Sequence, residues 1–365
     1  MSNKPIRVLY IIGGGEFGGA EQHVLSLMKG FEASAVTPQV ACFYDALFAK
    51  RVQQAEIPVT SLGQGVFKSF QILRKIIHNF RPQIIHTHGV RANVLGRIVG
   101  KGFGIPLITT VHSCFALDYP KYLKRTIFYT LEKATRPAVH TYIAVSRAMK
   151  KDLVEQHVHP KKIQVIYNGI DTTLFVPGRK AQRDAAKQHT ANDDRPVVLT
   201  VARLHPVKGH KDLLQAIEHV QTPARYVFVG DGEMRPELES IIRERSLPVD
   251  MVGHQDAIVP FYQQADLVVQ PSISEGFSLS MAEALACGVP VVATRVGGCI
   301  EIASHVKSGA SLVKAGDPLE LAAGIDRMLQ QPEMPDRKAI ERMFSIQQMC
   351  EHTYNLYERV AKHHK

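Results

Sequence analysis

The chain has 365 residues, enough for two ordinary domains, and its 45% hydrophobic and 21% charged residues are typical of a soluble globular protein. No apolar run approaches the length of a membrane span, which argues against a membrane-embedded protein. The net charge of +10 would suit nucleic acid, an anionic membrane surface or phosphorylated substrates, but Trp is absent and the basic residues are spread along the chain without a nucleic-acid-binding motif, so we expect no nucleic-acid partner.

The first half of the chain alternates short apolar runs with longer helical patterns, which is typical of a parallel α/β sheet. Strands are predicted at residues 7–12, 39–43, 84–87, 107–111, 141–145 and 163–166, and helices between them include 21–31 and 70–79. These elements predict a Rossmann-like first domain over residues 1–172. A polar stretch rich in Lys, Arg, Asp and Gln follows, so residues 173–195 are predicted to connect two domains.

A second α/β series follows this connection. Its strands are predicted at residues 196–202, 225–229, 250–252, 267–270 and 289–293. They predict a second Rossmann-like domain over residues 196–344. Residues 345–365 are helical in character but too isolated to belong to a strand series, and they predict a separate C-terminal helix.

A glycine-rich turn joins the first predicted strand to the first helix. Residues 13–18 satisfy the pattern G-x-G-x-x-G, which ends at Gly18 and is followed by Gly19. A dinucleotide site needs an acidic residue at the end of the second strand, and Asp45 lies somewhat late for that role. The pattern is therefore compatible with a nicotinamide-dependent oxidoreductase, with a loop whose backbone approaches a phosphate closely, or with an ordinary tight turn.

Histidines follow two predicted strands of the first domain. His112 comes after strand 107–111, and His86 and His88 flank the residue that ends strand 84–87. Open α/β sheets bind ligands at the carboxyl ends of their strands, where a histidine can donate to a hydroxyl or relay a proton. For His86 and His88 we prefer a buried structural role.

Two cations follow the first strand of the second domain. Arg203 and Lys208 lie in the loop between strand 196–202 and the helical pattern at 212–220, again at the carboxyl end of a strand. A guanidinium can grip phosphate oxygens with two N–H groups, and an ammonium supplies a mobile point charge. We predict that the pair offsets the charge of a diphosphate; the alternative is two solvated loop cations.

The most informative segment, residues 274–290, combines a polar turn, a short apolar helix and a buried strand. Glu275 lies in the turn and Glu283 about one turn inside the helix, which Ser278 or Ser280 can cap. The free N–H groups of such a helix start favour a phosphate. Two carboxylates would repel that phosphate unless they bind neutral hydroxyls on either side of it, and a nucleotide sugar has this layout.

An acidic metal-binding cluster is not visible in the sequence. There is no D-x-D motif flanked by an apolar strand, Asp193 and Asp194 lie in the polar connection, and residues 231–233 predict a turn. We therefore expect chemistry without a metal ion or another cofactor, the two loop cations taking the place of the metal.

The segment with Glu275-x7-Glu283, followed by Ala-Cys-Gly-x-Pro-Val-Val, resembles the signature of retaining glycosyltransferases of family 4, which have the two-domain GT-B fold. Four further blocks match in order: Gly18-Gly19-Ala20-Glu21, His112, Asn168-Gly169-Ile170-Asp171, and Arg203-Leu204 with Lys208-Gly209. One block alone would be weak evidence, but five in order are specific. The resemblance implies an α/β protein with two Rossmann-like parallel-sheet domains facing a central cleft, the final helix crossing back to the first domain.

The same resemblance implies a transferase that moves a sugar from a nucleoside diphosphate donor, with UDP favoured, to a hydroxyl acceptor. It assigns the sugar to Glu275 and His112, the ribose to Glu283 and the diphosphate to Arg203 and Lys208. Glu275, His112, Arg203 and Lys208 are the implied catalytic residues, and the leaving diphosphate helps to deprotonate the acceptor. The donor site is completed by Gly18, Gly19, Val252, Gly276, Phe277, Ser278, Leu279 and Ser280.

Two other functions stay open at this point. A sugar-nucleotide epimerase can share the GT-B fold, but it would need additional acid–base groups around the sugar. A non-catalytic protein that binds sugar nucleotides would not need the whole set of Arg203, Lys208, Glu275 and Glu283.

Residues 119–133 bear on the acceptor and on localisation. They mix cations with aromatic and aliphatic residues at helical spacing, so this helix could lie on an anionic bilayer or pack its apolar face into the first domain. The membrane interpretation favours a lipid-linked or cell-envelope glycan as acceptor. The chain shows no basic-then-apolar leader, and its five cysteines are scattered like reduced thiols, so we expect a cytoplasmic protein, peripheral on the inner face of the membrane if that helix binds lipid.

Overall fold

Two parallel sheets organise the chain, one in each of two units. The computed structural model describes residues 4–15, 17–113, 130–178 and 195–363. The first unit consists of Met1–Gly169 with Ile346–Lys365, and the second of Ile170–Ser345. The break at Gly169 thus precedes the connection predicted at 173–195, of which residues 179–194 lie outside the described part.

The sheet of the first unit has seven parallel strands in the order β3-β2-β1-β4-β5-β6-β7. Residues 8–12 of β1 are at most 1% exposed, because helices cover both faces of such a sheet. The strands are β1 Ile6–Ile12, β2 Val36–Cys42, β3 Val59–Ser61, β4 Ile84–His88, β5 Leu107–Val111, β6 Thr141–Ala144 and β7 Ile163–Val165. The helices are α1 Gly19–Gly30, α2 Leu47–Gln54, α3 Val66–Phe80, α4 Val90–Gly102 and α5 Arg147–Glu155, and residues 130–135 are also helical.

The sheet of the second unit has six parallel strands in the order β10-β9-β8-β11-β12-β13. Its strands are β8 Val197–Val201, β9 Arg225–Val229, β10 Val249–Gly253, β11 Leu267–Gln270, β12 Val291–Thr294 and β13 Ala310–Val313. Its helices are α6 His210–Ile217, α7 Arg235–Glu244, α8 Val259–Gln264, α9 Leu279–Ala286, α10 Gly297–His305, α11 Pro318–Gln330 and α12 Arg337–Phe344.

The strand order reverses once in each sheet, between β1 and β4 in the first unit and between β8 and β11 in the second. At such a point the connections leave neighbouring strands in opposite directions, and a crevice opens at the carboxyl ends of those strands. Ligands of open α/β sheets bind in this crevice. The loops after β1, β4, β8 and β11 are therefore the first places to look for a site.

The last helix, α13 Ile346–His363, packs on the first unit. Its residues Met349, Leu356 and Tyr357 are buried in the same core as β1 and α1. The Tyr357 hydroxyl also donates to the Tyr10 hydroxyl at 3.1 Å. Both ends of the chain thus build the first unit.

Two edge strands, β3 and β13, escape the sequence pattern. None of the three residues of β3 is buried, and in β13 only Val313 is, so neither strand shows an apolar run. The strand predicted at 289–293 instead begins at Val291, since Pro290 has no N–H to donate to a sheet. Hydrophobic periodicity therefore does not predict β3 and β13, because both strands lie at a sheet edge and are partly exposed.

Among the described residues, no helix combines the length and the apolar character needed to cross a membrane. The helix predicted at residues 119–133 lies outside the described residues up to 129, so its membrane interpretation stays a prediction. At the described end, Glu132 is buried and pairs with Arg97 at 3.0 Å and Arg136 at 2.6 Å. This end is held in the first unit by buried charge.

Candidate functional site

Two tight turns hold the loop after β11 against the loops after β8 and β12. A Cβ atom at Gly209, whose φ is +69°, would lie 1.9 Å from the Pro271 carbonyl oxygen. A Cβ atom at Gly297, whose φ is +36°, would lie 1.7 Å from the Glu275 carbonyl oxygen. Only glycine allows such contacts, so these two positions fix the loop that carries Glu275 between the Lys208 loop and the start of α10.

Glu275 is buried, and three donors meet one of its carboxylate oxygens. Lys208 Nζ lies 2.6 Å, Gln270 Nε2 2.8 Å and Ser272 Oγ 2.9 Å from Glu275 Oε1. Lys208, whose side chain is 25% exposed, balances the carboxylate charge that burial would otherwise penalise. Because these contacts all use Oε1, the carboxylate is held in one orientation. None of the described residues makes a side-chain hydrogen bond to Oε2, so this oxygen can accept from a ligand hydroxyl.

A network of buried polar side chains holds this carboxylate in place through hydrogen bonds. Gln270, 1% exposed, accepts from Ser280 Oγ at 2.8 Å and donates to both Ser272 Oγ, at 2.8 Å, and Glu275. The Thr294 hydroxyl donates to the Ser272 carbonyl. Gln270, Ser272 and Thr294 were not among the predicted site residues. The sequence does carry a signal for Gln270, because a glutamine that ends the apolar strand β11 needs buried partners.

The turn and helix after Glu275 divide into packing groups and ligand-facing groups. Ser278 caps α9 by accepting from the Met281 N–H at 3.4 Å, as its sequence position predicts. The Phe277 ring is buried and packs 5.4 Å from the Phe344 ring. The Phe277 side chain is therefore used for packing, and Gly276 has no side chain to offer, so a ligand contact at these two positions would have to use the backbone. Leu279 and Ser280 begin the helix whose first N–H groups favour an anion.

Glu283 lies on α9 and is 8% exposed. Tyr262 on α8 donates its hydroxyl to Glu283 Oε2 at 2.8 Å. Burial raises the pKa of Glu283 to about 7, although the Tyr262 hydrogen bond acts in the opposite direction. Glu283 therefore changes charge near neutral pH.

Arg203 and Val252 are the remaining predicted residues of this unit. Arg203 is exposed in the loop after β8, next to the fully buried Leu204 that anchors this loop. Val252 is 36% exposed on the edge strand β10, two strands away from β8. Parallel strands end on the same side of the sheet, so both residues lie at the edge where Lys208 and Glu275 are found.

In the first unit, Gly18 and Gly19 begin α1 at the carboxyl end of β1. Gly18 is the N-cap residue, and its N–H donates to Glu21 Oε2 at 3.2 Å. Glu21, in the first turn of α1, therefore supplies a hydrogen-bond acceptor and a negative charge to the N-terminus of this helix. The next N–H groups of this helix remain directed out of its N-terminus.

Three histidines gather near that helix. His88 Nδ1 lies 3.0 Å from His112 Nε2, and the His23 ring centroid lies 4.9 Å from that of His112. Burial lowers the pKa of His23 to about 4 and holds the pKa of His88 and His112 well below the ordinary value. All three rings are thus neutral at physiological pH and can each donate one hydrogen bond and accept one.

The same three residues bring ring nitrogens within 4.8 Å of one another, a donor set that transition metals accept. The sequence-based expectation of a metal-free site rests on the lack of carboxylate clusters and does not address imidazoles. His86 has a different role, because its two ring nitrogens bond to Tyr357 at 2.6 Å and Thr110 at 2.7 Å inside the core.

Two family models match this chain. The model "Glycosyl transferases group 1" matches residues 181–342, and "Glycosyltransferase Family 4" matches residues 17–174. The two matches fall on different halves of the chain and together span most of it.

Named relatives and solved structures extend this likeness. A D-inositol 3-phosphate glycosyltransferase from Xylanimonas cellulosilytica is 27% identical over 364 residues, covering 87% of this chain and 84% of that protein. For the protein of the same name from Acidothermus cellulolyticus, at 31% identity, the chain spans 59% of its length. An N,N'-diacetylbacillosaminyl-diphospho-undecaprenol alpha-1,3-N-acetylgalactosaminyltransferase from Campylobacter jejuni is 28% identical over 67% of each chain.

Among solved structures, Anabaena HepE in complex with UDP and glucose superimposes with a TM-score of 0.85 at 22% identity, over 97% of this chain and 99% of that one. Sucrose-phosphate synthase from Thermosynechococcus elongatus gives a TM-score of 0.83 at 20% identity, over 98% and 100% of the chains. These likenesses establish the fold.

Proposed function

The chain belongs to the family 4 glycosyltransferases and has their GT-B fold, and on this premise we propose that it moves a sugar from a nucleoside diphosphate to a hydroxyl acceptor with retention of configuration. The observation that carries the proposal is the Lys208–Glu275 pair at the strand reversal of the second unit. It combines a cation for phosphate with a carboxylate oriented to accept from a hydroxyl. A nucleotide sugar presents both groups side by side.

The donor is a UDP-sugar, held by carboxylates on both sides of its diphosphate. Glu283 accepts from the ribose hydroxyls and Glu275 from a hydroxyl of the sugar, while Arg203 and Lys208 meet the diphosphate between them. Lys208 balances Glu275 before the donor binds, so its charge is already in place when the phosphates arrive. The complexes of HepE with UDP and with UDP-glucose support the choice of base.

Retention follows from a reaction on one face of the sugar. Glu275 is a poor nucleophile, because a cation and two hydrogen-bond donors hold its Oε1. We therefore assign proton acceptance to the leaving group: the bond from the anomeric carbon to the diphosphate oxygen breaks, the acceptor oxygen bonds to that carbon on the same face, and the acceptor proton passes to the departing diphosphate. Arg203 and Lys208 stabilise the growing negative charge without a metal ion.

His112 contributes a contact to the transferred sugar. Its imidazole is neutral and, through the bond to His88, keeps a fixed orientation. A neutral ring can donate to a sugar hydroxyl without adding charge near the anomeric carbon. This supports hydrogen bonding to substrate rather than acid catalysis as its role.

The acceptor is a hydroxyl-bearing glycan, lipid-linked and presented at the cytoplasmic face of a membrane. The name of the Campylobacter relative, which specifies an undecaprenol-diphosphate-linked glycan, supports this class. The excess of positive charge supports an anionic surface nearby.

A thermal-shift panel of nucleotide sugars with different bases and sugars tests the donor. A ligand at about 100 times its Kd should stabilise the protein by about 2.7 kcal/mol, and we expect UDP and one UDP-sugar to do so. Lys208→Met should abolish this shift. Lys211→Met is the matched control, since Lys211 pairs with Glu237 on the surface. If no nucleotide sugar stabilises the wild-type protein, the proposal is wrong.

A further inference from the structure

The hydrogen bond between Tyr262 and Glu283 joins two helices and ends at the proposed ribose-binding carboxylate. Tyr262 is fully buried, and its hydroxyl donates to Glu283 Oε2 at 2.8 Å. Residues 262 and 283 come from α8 and α9, which follow different strands of the second unit. This contact therefore depends on the tertiary structure and cannot be predicted from the Glu-x7-Glu spacing.

The Tyr262 ring is held in place independently of the glutamate. It packs edge-on against Phe175, with ring centroids 5.9 Å apart. A buried phenol hydroxyl needs an acceptor, and Glu283 supplies it here. The fixed ring therefore imposes a position on the carboxylate, rather than the reverse.

We propose that Tyr262 is a positioning residue for nucleoside recognition: its hydroxyl holds Glu283 Oε2 so that Oε1 accepts from the ribose hydroxyls of the donor. The assignment rests on the proposed function, in which Glu283 meets the ribose. Among the described residues, the Tyr262 hydroxyl makes the one side-chain hydrogen bond that Glu283 has. Removing that hydroxyl leaves the carboxylate without the hydrogen bond that fixes its position.

The bond also favours the ionised form of Glu283. A ribose diol has two O–H donors and needs a carboxylate, not a carboxylic acid, as acceptor. Burial raises the pKa of Glu283, and the Tyr262 hydroxyl lowers it by stabilising the ionised form. Affinity for a ribonucleotide should thus be greatest above a pH of about 7 and fall as the pH drops through that value.

Other ionisable groups around α9 do not take over this function. Burial raises the pKa of Cys287 to about 12, which keeps the thiol neutral. Arg337 on α12 donates to the Ala286 carbonyl and pairs with Glu341 at 2.7 Å. The elements packed against α9 also carry Cys299 and Glu301 on α10. Tyr262 alone among these groups donates to the carboxylate of Glu283.

Binding of UDP and of 2′,3′-dideoxy-UDP to Tyr262→Phe across about pH 6–9 tests the proposal. Near neutral pH we expect UDP affinity to fall about tenfold, the scale of one hydrogen bond to a charged group. The loss should shrink as the pH rises, because Glu283 then ionises without help. Binding of the dideoxy nucleotide should not change. Tyr226→Phe is the matched control, since Tyr226 is another buried tyrosine of the second unit.

A double-mutant cycle guards against a general loss of structure. If Tyr262 acts through the carboxylate, Tyr262→Phe combined with Glu283→Gln should bind UDP no more weakly than Glu283→Gln alone. Equal losses for UDP and the dideoxy nucleotide at every pH, or an unchanged UDP affinity, would overturn the role of Tyr262. Wild-type protein should bind UDP more tightly than 2′,3′-dideoxy-UDP, and Glu283→Gln should lose this preference. If either expectation fails, the assignment of Glu283 to the ribose is itself wrong.

Discussion

Replacing Gln270 by methionine tests whether the anchored carboxylate of Glu275 is needed for sugar transfer. Methionine keeps the length of the side chain but removes the amide that lies 2.8 Å from Glu275 Oε1 and accepts from Ser280. A hydrogen bond to a charged group contributes about 1.5–3 kcal/mol. If most of this is expressed in the transition state, kcat/KM should fall roughly 30-fold, corresponding to about 2 kcal/mol.

The loss should appear in transfer and not in nucleotide affinity. Lys208 and Ser272 still hold Oε1, so Glu275 stays near its place but loses one of three constraints. We expect kcat for transfer to fall while the affinity for UDP is unchanged, because Gln270 contacts the sugar-facing glutamate and not Glu283. Initial rates at varied donor concentration and calorimetric titration with UDP separate the two effects.

Gln270→Glu sharpens the test by placing a second carboxyl group against Glu275. Like charges at this distance disfavour double ionisation, so as the pH falls the pair should take up a proton at a higher pH than an isolated carboxyl group would. Activity near neutral pH should fall below that of Gln270→Met and recover in part as the pH is lowered, when a shared proton restores a donor. Gln221→Met is the control, since Gln221 is exposed in the same unit. Wild-type kcat in Gln270→Met would refute the reasoning, as would equal losses of transfer and UDP affinity.

Three further predictions concern the same site, and a fourth concerns residues 119–133. Arg203→Ala and Lys208→Ala should each cost about 10²-fold or more in turnover, the scale of one preorganised charge-stabilising group; a double variant with near-normal turnover would contradict this. Glu283→Ala should weaken UDP binding, while Glu275→Ala should spare it and depress transfer; equal losses of affinity would mean the division between ribose and sugar is wrong. Transfer should persist in excess chelator, and a complete loss restored by a metal ion would instead point to the histidine cluster. The protein should co-sediment with anionic liposomes at low salt and be released as salt rises, and absence of binding at low salt would reject a membrane role for residues 119–133.

The sequence by itself determined the α/β class, most of the strands and the two carboxylates of the proposed donor site. These features are local. Apolar runs such as β11 and amphipathic helical patterns depend on spacing along the chain, and the spacing of Glu275 and Glu283 across a capped turn is a property of one segment. The resemblance to family 4, which the family models confirm, rests on the same kind of local blocks.

What only the tertiary structure decided is which side chains meet. Gln270 and Lys208 converge on one oxygen of Glu275, and Tyr262 reaches Glu283 from another helix. The neutral pair of His88 and His112 likewise depends on the packing of β4 beside β5. Apart from Gln270 and Glu275, which are 5 positions apart, these contacts join residues 21 to 67 positions apart. Their geometry follows from strand order and side-chain packing, which a hydrophobic periodicity does not record. Burial then sets the protonation of these groups, because the cost of charge depends on what surrounds a residue in space and not on its neighbours in sequence.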